Sequence, residues 1–152
     1  MRNGEYLVGL TSLIVKGGGG VAFSWTLIDR YGSDEHVKVM SFISACVLAS
    51  LVTRFGADQF LLKHGKLHLE ACGKDLYSRL FLQLNLQSSA VAVFIALLLS
   101  EYNKNYGYLE YLLTIIFLNT IYLYAAHLKV VGKQVYFSFF EVNSALFAIS
   151  PF

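Results

Sequence analysis

Long apolar runs separated by short polar connections set the pattern of this chain. The first extends from about Tyr6 to Ile28, the second and shortest from about Val37 to Val52, the third from Leu80 to Ser100 and the fourth from Tyr108 to Val130. After Gly132-Lys133-Gln134 a further run begins at Val135 and is still apolar where the sequence stops at Phe152. About 20 residues rising about 1.5 Å each cross a hydrocarbon core of about 30 Å, so these runs have the length of transmembrane helices or approach it. Helices satisfy their own backbone donors and acceptors where water is absent. A membrane barrel would alternate inward and outward residues over segments of about ten, and stretches such as AVAVFIALLL do not alternate. The pattern predicts an all-α, polytopic membrane protein with four transmembrane helices plus the start of a fifth. A single domain covers residues 1–152, with an amphipathic inside loop over about 57–79.

Composition agrees with this pattern. Hydrophobic residues make up 56% and charged residues 14% of the chain, against roughly 25% charged in soluble domains. The net charge of +2 hides an asymmetry. If the first and third connections lie outside, they carry Arg30, Lys38 and Lys104, whereas the N-terminus and the second and fourth connections carry Arg2, Arg54, Lys63, Lys66, Lys74, Arg79, Lys129 and Lys133. Basic residues concentrate on the cytoplasmic side of membrane proteins, so the N-terminus is expected inside. Basic residues placed this way serve topology, and no basic-aromatic face for nucleic acid accompanies them. Cys46 and Cys72 are too few for a disulfide framework. The opening MRNGEYLVGLTSLIV does not fit a cleaved signal peptide, because Glu5 falls in the basic region and no small-x-small site follows.

Within the apolar runs a few polar residues carry the candidate chemistry. Lys16 lies ten residues beyond Tyr6, about 15 Å into a helical span and close to the midplane. A lysine there costs about 2.5 to 3.5 kcal/mol on insertion scales, so it is expected to face a hydrated cavity or an anionic partner. A structural ion pair, or a lysine reaching to the interface, is the alternative. Gly9, Ser12, Lys16 and Gly19 or Gly20 share one helical face. The run Gly17, Gly18, Gly19, Gly20 makes this helix thin and bendable, suited to a hinge or to close helix packing. Glu141 lies about 9 Å into the last run and is a candidate intramembrane partner for Lys16. Gln83, Gln87 and Asn119 are candidates for helix contacts or a polar cavity wall.

His64, His68 and Cys72 line one helix face at spacings of four, yet the outer two would lie about 12 Å apart, so no single ion could take all three. The same segment reads better as an interfacial one, lysines toward anionic headgroups and leucines toward acyl chains. No paired carboxylates, nucleophile elbow or phosphate loop is present, since GGGG lacks a following Gly-Lys-Ser/Thr. No motif calls for an enzyme activity, a metal or a cofactor.

The order of features resembles the N-terminal part of bacterial polysaccharide flippases of the O-antigen type, within the multidrug/oligosaccharidyl-lipid/polysaccharide exporter superfamily. The residues that carry the resemblance are Lys16-Gly17 in the first span, LIDRYG with Arg30 and Gly32, LVTRFGADQFLLKHG with Arg54, Gly56 and Asp58, and AAHLKVVGKQ with Lys129, Gly132 and Lys133. It extends over essentially the whole chain. The resemblance implies one part of a transporter in the bacterial inner membrane, N-terminus cytoplasmic. Its substrate would be an undecaprenyl-pyrophosphate-linked oligosaccharide, moved between leaflets for surface polysaccharide biosynthesis. It also implies that Lys16 meets the pyrophosphate. Members of the family have twelve or more spans, so the chain is expected to be a fragment, inactive without the C-terminal half. Membrane lipids and the lipid-linked oligosaccharide are the expected partners, with glycan-assembly proteins beside them. A small homo-oligomeric carrier of four or five spans and a scaffold for glycan assembly are the alternatives.

Overall fold

The structure, a computed structural model, describes residues 18–132. Lys16, Gly17, Glu141, the first half of the first apolar run and the run beginning at Val135 lie outside the described residues. Among the described residues the regular structure is helical throughout: α1 over 18–31, α2 over Ser33–Arg54, α3 over Ala57–Tyr102 and α4 over Tyr108–Val130. Three of them, α2, α3 and α4, are long and apolar enough to cross a membrane. The fourth predicted run and α4 share the same limits.

The described residues divide between two compact units, 40–131 in one and 18–39 with Gly132 in the other. In the second of these, α1 ends at Gly32, whose N–H bonds to Ile28 O at 3.0 Å with a φ of +88°, and α2 starts at once. Asp34 and Glu35 in the first turn of α2 suit its positive end.

In the unit of residues 40–131, α4 begins at Gly107, where the Glu110 carboxylate reaches back to accept the Gly107 N–H at 2.6 Å. His127 and Lys129 occupy its last turn, where cations suit the carbonyl end. The segment expected as an amphipathic loop is helical and continuous with the third predicted span. An unbroken 46-residue helix would measure about 69 Å, more than twice a hydrocarbon core. It is broken at Gly73, whose φ of 78° and ψ of 173° lie in a region essentially confined to glycine. Two arms result, 57–72 and 74–102. They approach one another, since a Cβ on Gly65 would lie 3.4 Å from Tyr77 Cε2.

The three helices meet along seams of small and polar residues. Cys46 and Ala49 of α2, Ala92 and Ala96 of α3, and Tyr111 and Ile115 of α4 form one buried cluster. Ala57, Leu61, Tyr77, Leu123 and Ala126 form the other. Five larger residues, Leu61, Tyr77, Tyr111, Ile115 and Leu123, are buried with them, while many others point outward, Phe94 and Leu98 being 70% and 71% exposed. Small residues at the helix contacts and large apolar side chains over the outer surface suit helices packed in an apolar solvent, where close backbone approach matters more than hydrophobic burial.

Contacts along α4 fix the register. Phe42 packs on Tyr111 with ring centroids 4.8 Å apart, Thr53 Oγ1 lies 3.0 Å from Asn119 Oδ1, and a Cβ on Gly65 would lie 3.0 Å from Val130 Cγ2. Helix α2 and the arm 57–72 therefore run in sequence beside α4 and in its direction. The arm 74–102 runs the opposite way, with Tyr77 and Phe81 both against His127.

Candidate functional site

The junction of α2 and α3 falls part-way along α4 and is the most polar point of the packed interior. Two consecutive left-handed residues make it, Phe55 with φ 47° and Gly56 with φ 70°. Glycine takes this conformation freely, whereas at Phe55 it costs about 1 to 2 kcal/mol. Phe55 is 81% exposed, so its ring offers little packing in return. The helix ends are closed locally, Phe55 N–H donating to Val52 O at 3.1 Å and Phe60 N–H to Gly56 O at 2.8 Å.

Arg54 and Asp58 flank this break. The Arg54 side chain is 5% exposed and that of Asp58 24%. Arg54 Nε donates to Ser50 O at 3.0 Å, and Nη1 donates to Asp58 Oδ2 at 3.1 Å. The guanidinium carbon stands 4.1 Å from the centre of the Tyr122 ring, a cation–π distance. The arginine sits at the carbonyl end of α2 and the aspartate in the first turn of α3, so each charge also opposes the helix dipole beside it. A guanidinium has five N–H groups, and these contacts use two of them.

A cleft of 310 Å³ opens beside the pair, walled by Phe55, Phe60, Leu84 and Val91 and edged by Thr53, Arg54, Gln87 and Ser88. Behind it Asn119 is buried at 1% exposure and its Nδ2 has no partner. Thr53 Oγ1 stands 3.1 Å from Ser50 O and 3.0 Å from the Asn119 amide oxygen, but its one hydrogen serves one acceptor well. With the Asn119 amide turned over, Thr53 donates to Ser50 and accepts from Asn119, and the buried amide nitrogen gains a partner.

Of the sequence-predicted site residues, Asn119 and Gln87 come to this region, one behind the cleft and the other on its rim. Gln83 is exposed and does not line it. Gly18 and Gly20 lie in α1, and among the described residues a Cβ on either would meet nothing within 4 Å. A close helix contact lies at Gly65. His64 and His68 flank the Phe60 ring at 5.2 and 6.3 Å, and among the described residues no three His, Cys, Asp or Glu side chains group together.

Sequence reasoning names Arg54 and Asp58 as carriers of the resemblance, and Arg54 as a basic residue of the second connection, but does not identify them as a site. Arg54 packs beside Tyr122, which is seven residues before Lys129 on α4, about 10 Å along the helix. The signal that could have found the pair is an Arg and an Asp four apart across Phe-Gly, where a helix would bring them together and the glycine would break it. Comparison with known protein families, curated proteins and solved structures gives no match.

Proposed function

We propose that the chain is an integral part of a membrane transporter that moves an undecaprenyl-pyrophosphate-linked oligosaccharide across the bacterial inner membrane. The observation that carries the membrane half of this reading is that α2, α3 and α4 are each long and apolar enough to span, with alanine, cysteine, serine and asparagine at their contacts and large apolar side chains such as Phe94, Leu98 and Phe117 turned outward. A helical unit built this way is stable against acyl chains and costly to expose to water. Support for transport comes from the polar junction inside that unit and from the expected depth of Lys16. A charge or polar pair kept at such a level marks a substrate or ion route more often than it adds stability. The N-terminus lies on the cytoplasmic side in this reading, by the distribution of lysine and arginine.

Reconstitution of the full chain in nanodiscs tests it. Binding of a fluorescent undecaprenyl-pyrophosphate oligosaccharide is expected, weaker by about tenfold for Lys16→Gln, which corresponds to about 1.4 kcal/mol. Equal binding of an uncharged polyprenol, or a monodisperse species purified without detergent, overturns the reading. A defined homo-oligomer that binds neither lipid would instead make the chain a scaffold.

A further inference from the structure

We propose that the cleft beside Arg54 binds the phosphate of a lipid phosphate ester, and that Asp58 is the counter-charge this phosphate displaces. The inference rests on reading α2, α3 and α4 as membrane-spanning, and does not depend on an oligosaccharide cargo.

Four observations on this unit converge. The first is donor capacity: Arg54 is 5% exposed, forms part of the cleft wall and spends two N–H groups on Ser50 and Asp58. Three of its five donors are left for an incoming anion, and a tetrahedral phosphate has the acceptor oxygens to take them together with the Gln87 amide at the rim. The second is the asymmetry of the ion pair. Asp58 is 24% exposed, so its carboxylate has room to swing away from Arg54, while Tyr122 on one side and Ser50 O on the other hold the guanidinium in place. Exchange therefore moves the carboxylate and leaves the arginine where it is.

The third is the shape and lining of the cleft. Its 310 Å³ far exceed the space a lone carboxylate needs, and Phe55, Phe60, Leu84 and Val91 offer an apolar wall next to the cation. An amphiphile with an anionic head and a hydrocarbon body matches both surfaces, whereas a hydrated free anion matches one. The fourth is depth. Tyr122, against which Arg54 lies, is 14 residues from Tyr108 and seven from Lys129, about 21 and 10 Å along α4. The cleft is thus nearer the lysine-bearing end, within reach of a lipid head drawn inward from that leaflet.

Native mass spectrometry of the full chain in mild detergent tests the site with four probes: phosphatidylglycerol, undecaprenyl phosphate, inorganic phosphate and uncharged diacylglycerol. The wild type should retain one lipid phosphate ester per chain. Arg54→Gln should weaken that binding by about tenfold or more, and Asp58→Asn, which frees the guanidinium, should strengthen it by about threefold or more. Gln87 is exposed at the rim, so Gln87→Trp should obstruct the cleft without changing the unfolding midpoint, and should lower binding even if Arg54→Gln does not fold. Preference for phosphatidylglycerol makes this a bilayer-lipid site, and preference for undecaprenyl phosphate makes it a site for a carrier lipid; either upholds the proposal. Binding unchanged by both Arg54→Gln and Gln87→Trp overturns it. So does inorganic phosphate or diacylglycerol binding as well as the lipid esters. A chain that retains lipid phosphate yet ignores the oligosaccharide would sink the transport reading alone.

Discussion

Gly65 faces Val130 so closely that a β-carbon on the glycine would lie 3.0 Å from Val130 Cγ2 and 3.2 Å from Cγ1. Both contacts fall on a branched side chain with little rotamer freedom in a helix. Alanine at Gly65 gains about 1 kcal/mol of helix propensity and loses a similar amount to the contact, so Gly65→Ala should leave the unfolding midpoint nearly unchanged. Leucine there overpacks the seam, and Gly65→Leu should destabilise by about 2 to 3 kcal/mol. Val130→Ala in the same chain should recover most of the loss, as read by thermal unfolding in detergent. Equal loss with and without Val130→Ala would mean that the strain lies elsewhere.

The Thr53 and Asn119 side chains meet at 3.0 Å inside the three-helix unit. Interhelical hydrogen bonds in membrane proteins contribute about 0.6 kcal/mol on average and up to about 1.7. Thr53→Val should cost near the top of that range, because it strands a buried amide. Asn119→Leu removes the amide itself and should cost less, and the double variant should be no worse than Thr53→Val alone. Additive losses in a double-mutant cycle would show that the two side chains do not act on one another.

Removing either member of the Arg54–Asp58 pair has unequal consequences. Asp58→Asn leaves a guanidinium that is 5% exposed without its counter-charge, while Arg54→Gln leaves a carboxylate that is 24% exposed and less tightly enclosed. Loss of one partner of a buried pair costs about 3 to 5 kcal/mol, and Asp58→Asn should approach that range while Arg54→Gln falls well below it. Added lipid phosphate should raise the midpoint of Asp58→Asn more than that of the wild type, by mass action on the folded state. The opposite order of stabilities in phosphate-free detergent would contradict this account.

Two backbone positions give a cleaner contrast. Phe55→Gly relieves a left-handed residue and should stabilise by about 0.5 to 1 kcal/mol, the gain being reduced by the entropy of a more flexible unfolded chain. Gly73→Ala forces a side chain into a region that alanine avoids, at about 1 to 3 kcal/mol. It should open the angle between the arms 57–72 and 74–102 and expose Tyr77, detectable as faster proteolysis between residues 66 and 79.

How far the architecture was legible follows from which physics is written into consecutive residues. The limits of α4 could be read directly, since an unbroken apolar run bounded by Gly107 and Gly132 has one helical solution. The second run could not. It is expected to end near Val52, whereas α2 continues to Arg54, whose charge an aspartate one turn on pairs. Whether Arg54 faces Asp58 depends on Phe55 taking a positive φ, for which a phenylalanine carries no sequence signature. The polar character of Asn119 was visible, but its meeting with Thr53, 66 residues away, is a matter of helix register. The contact of Gly65 with Val130 is equally long-range and carries no local signal.

The left-handed turn at Phe55-Gly56 divides residues 33–72 into two helical rods. A single rod conveys twist and bending from end to end, but two rods joined at an angle do not. The guanidinium and carboxylate straddle that joint, one on each rod, so the ion pair is a side-chain tie across the bend.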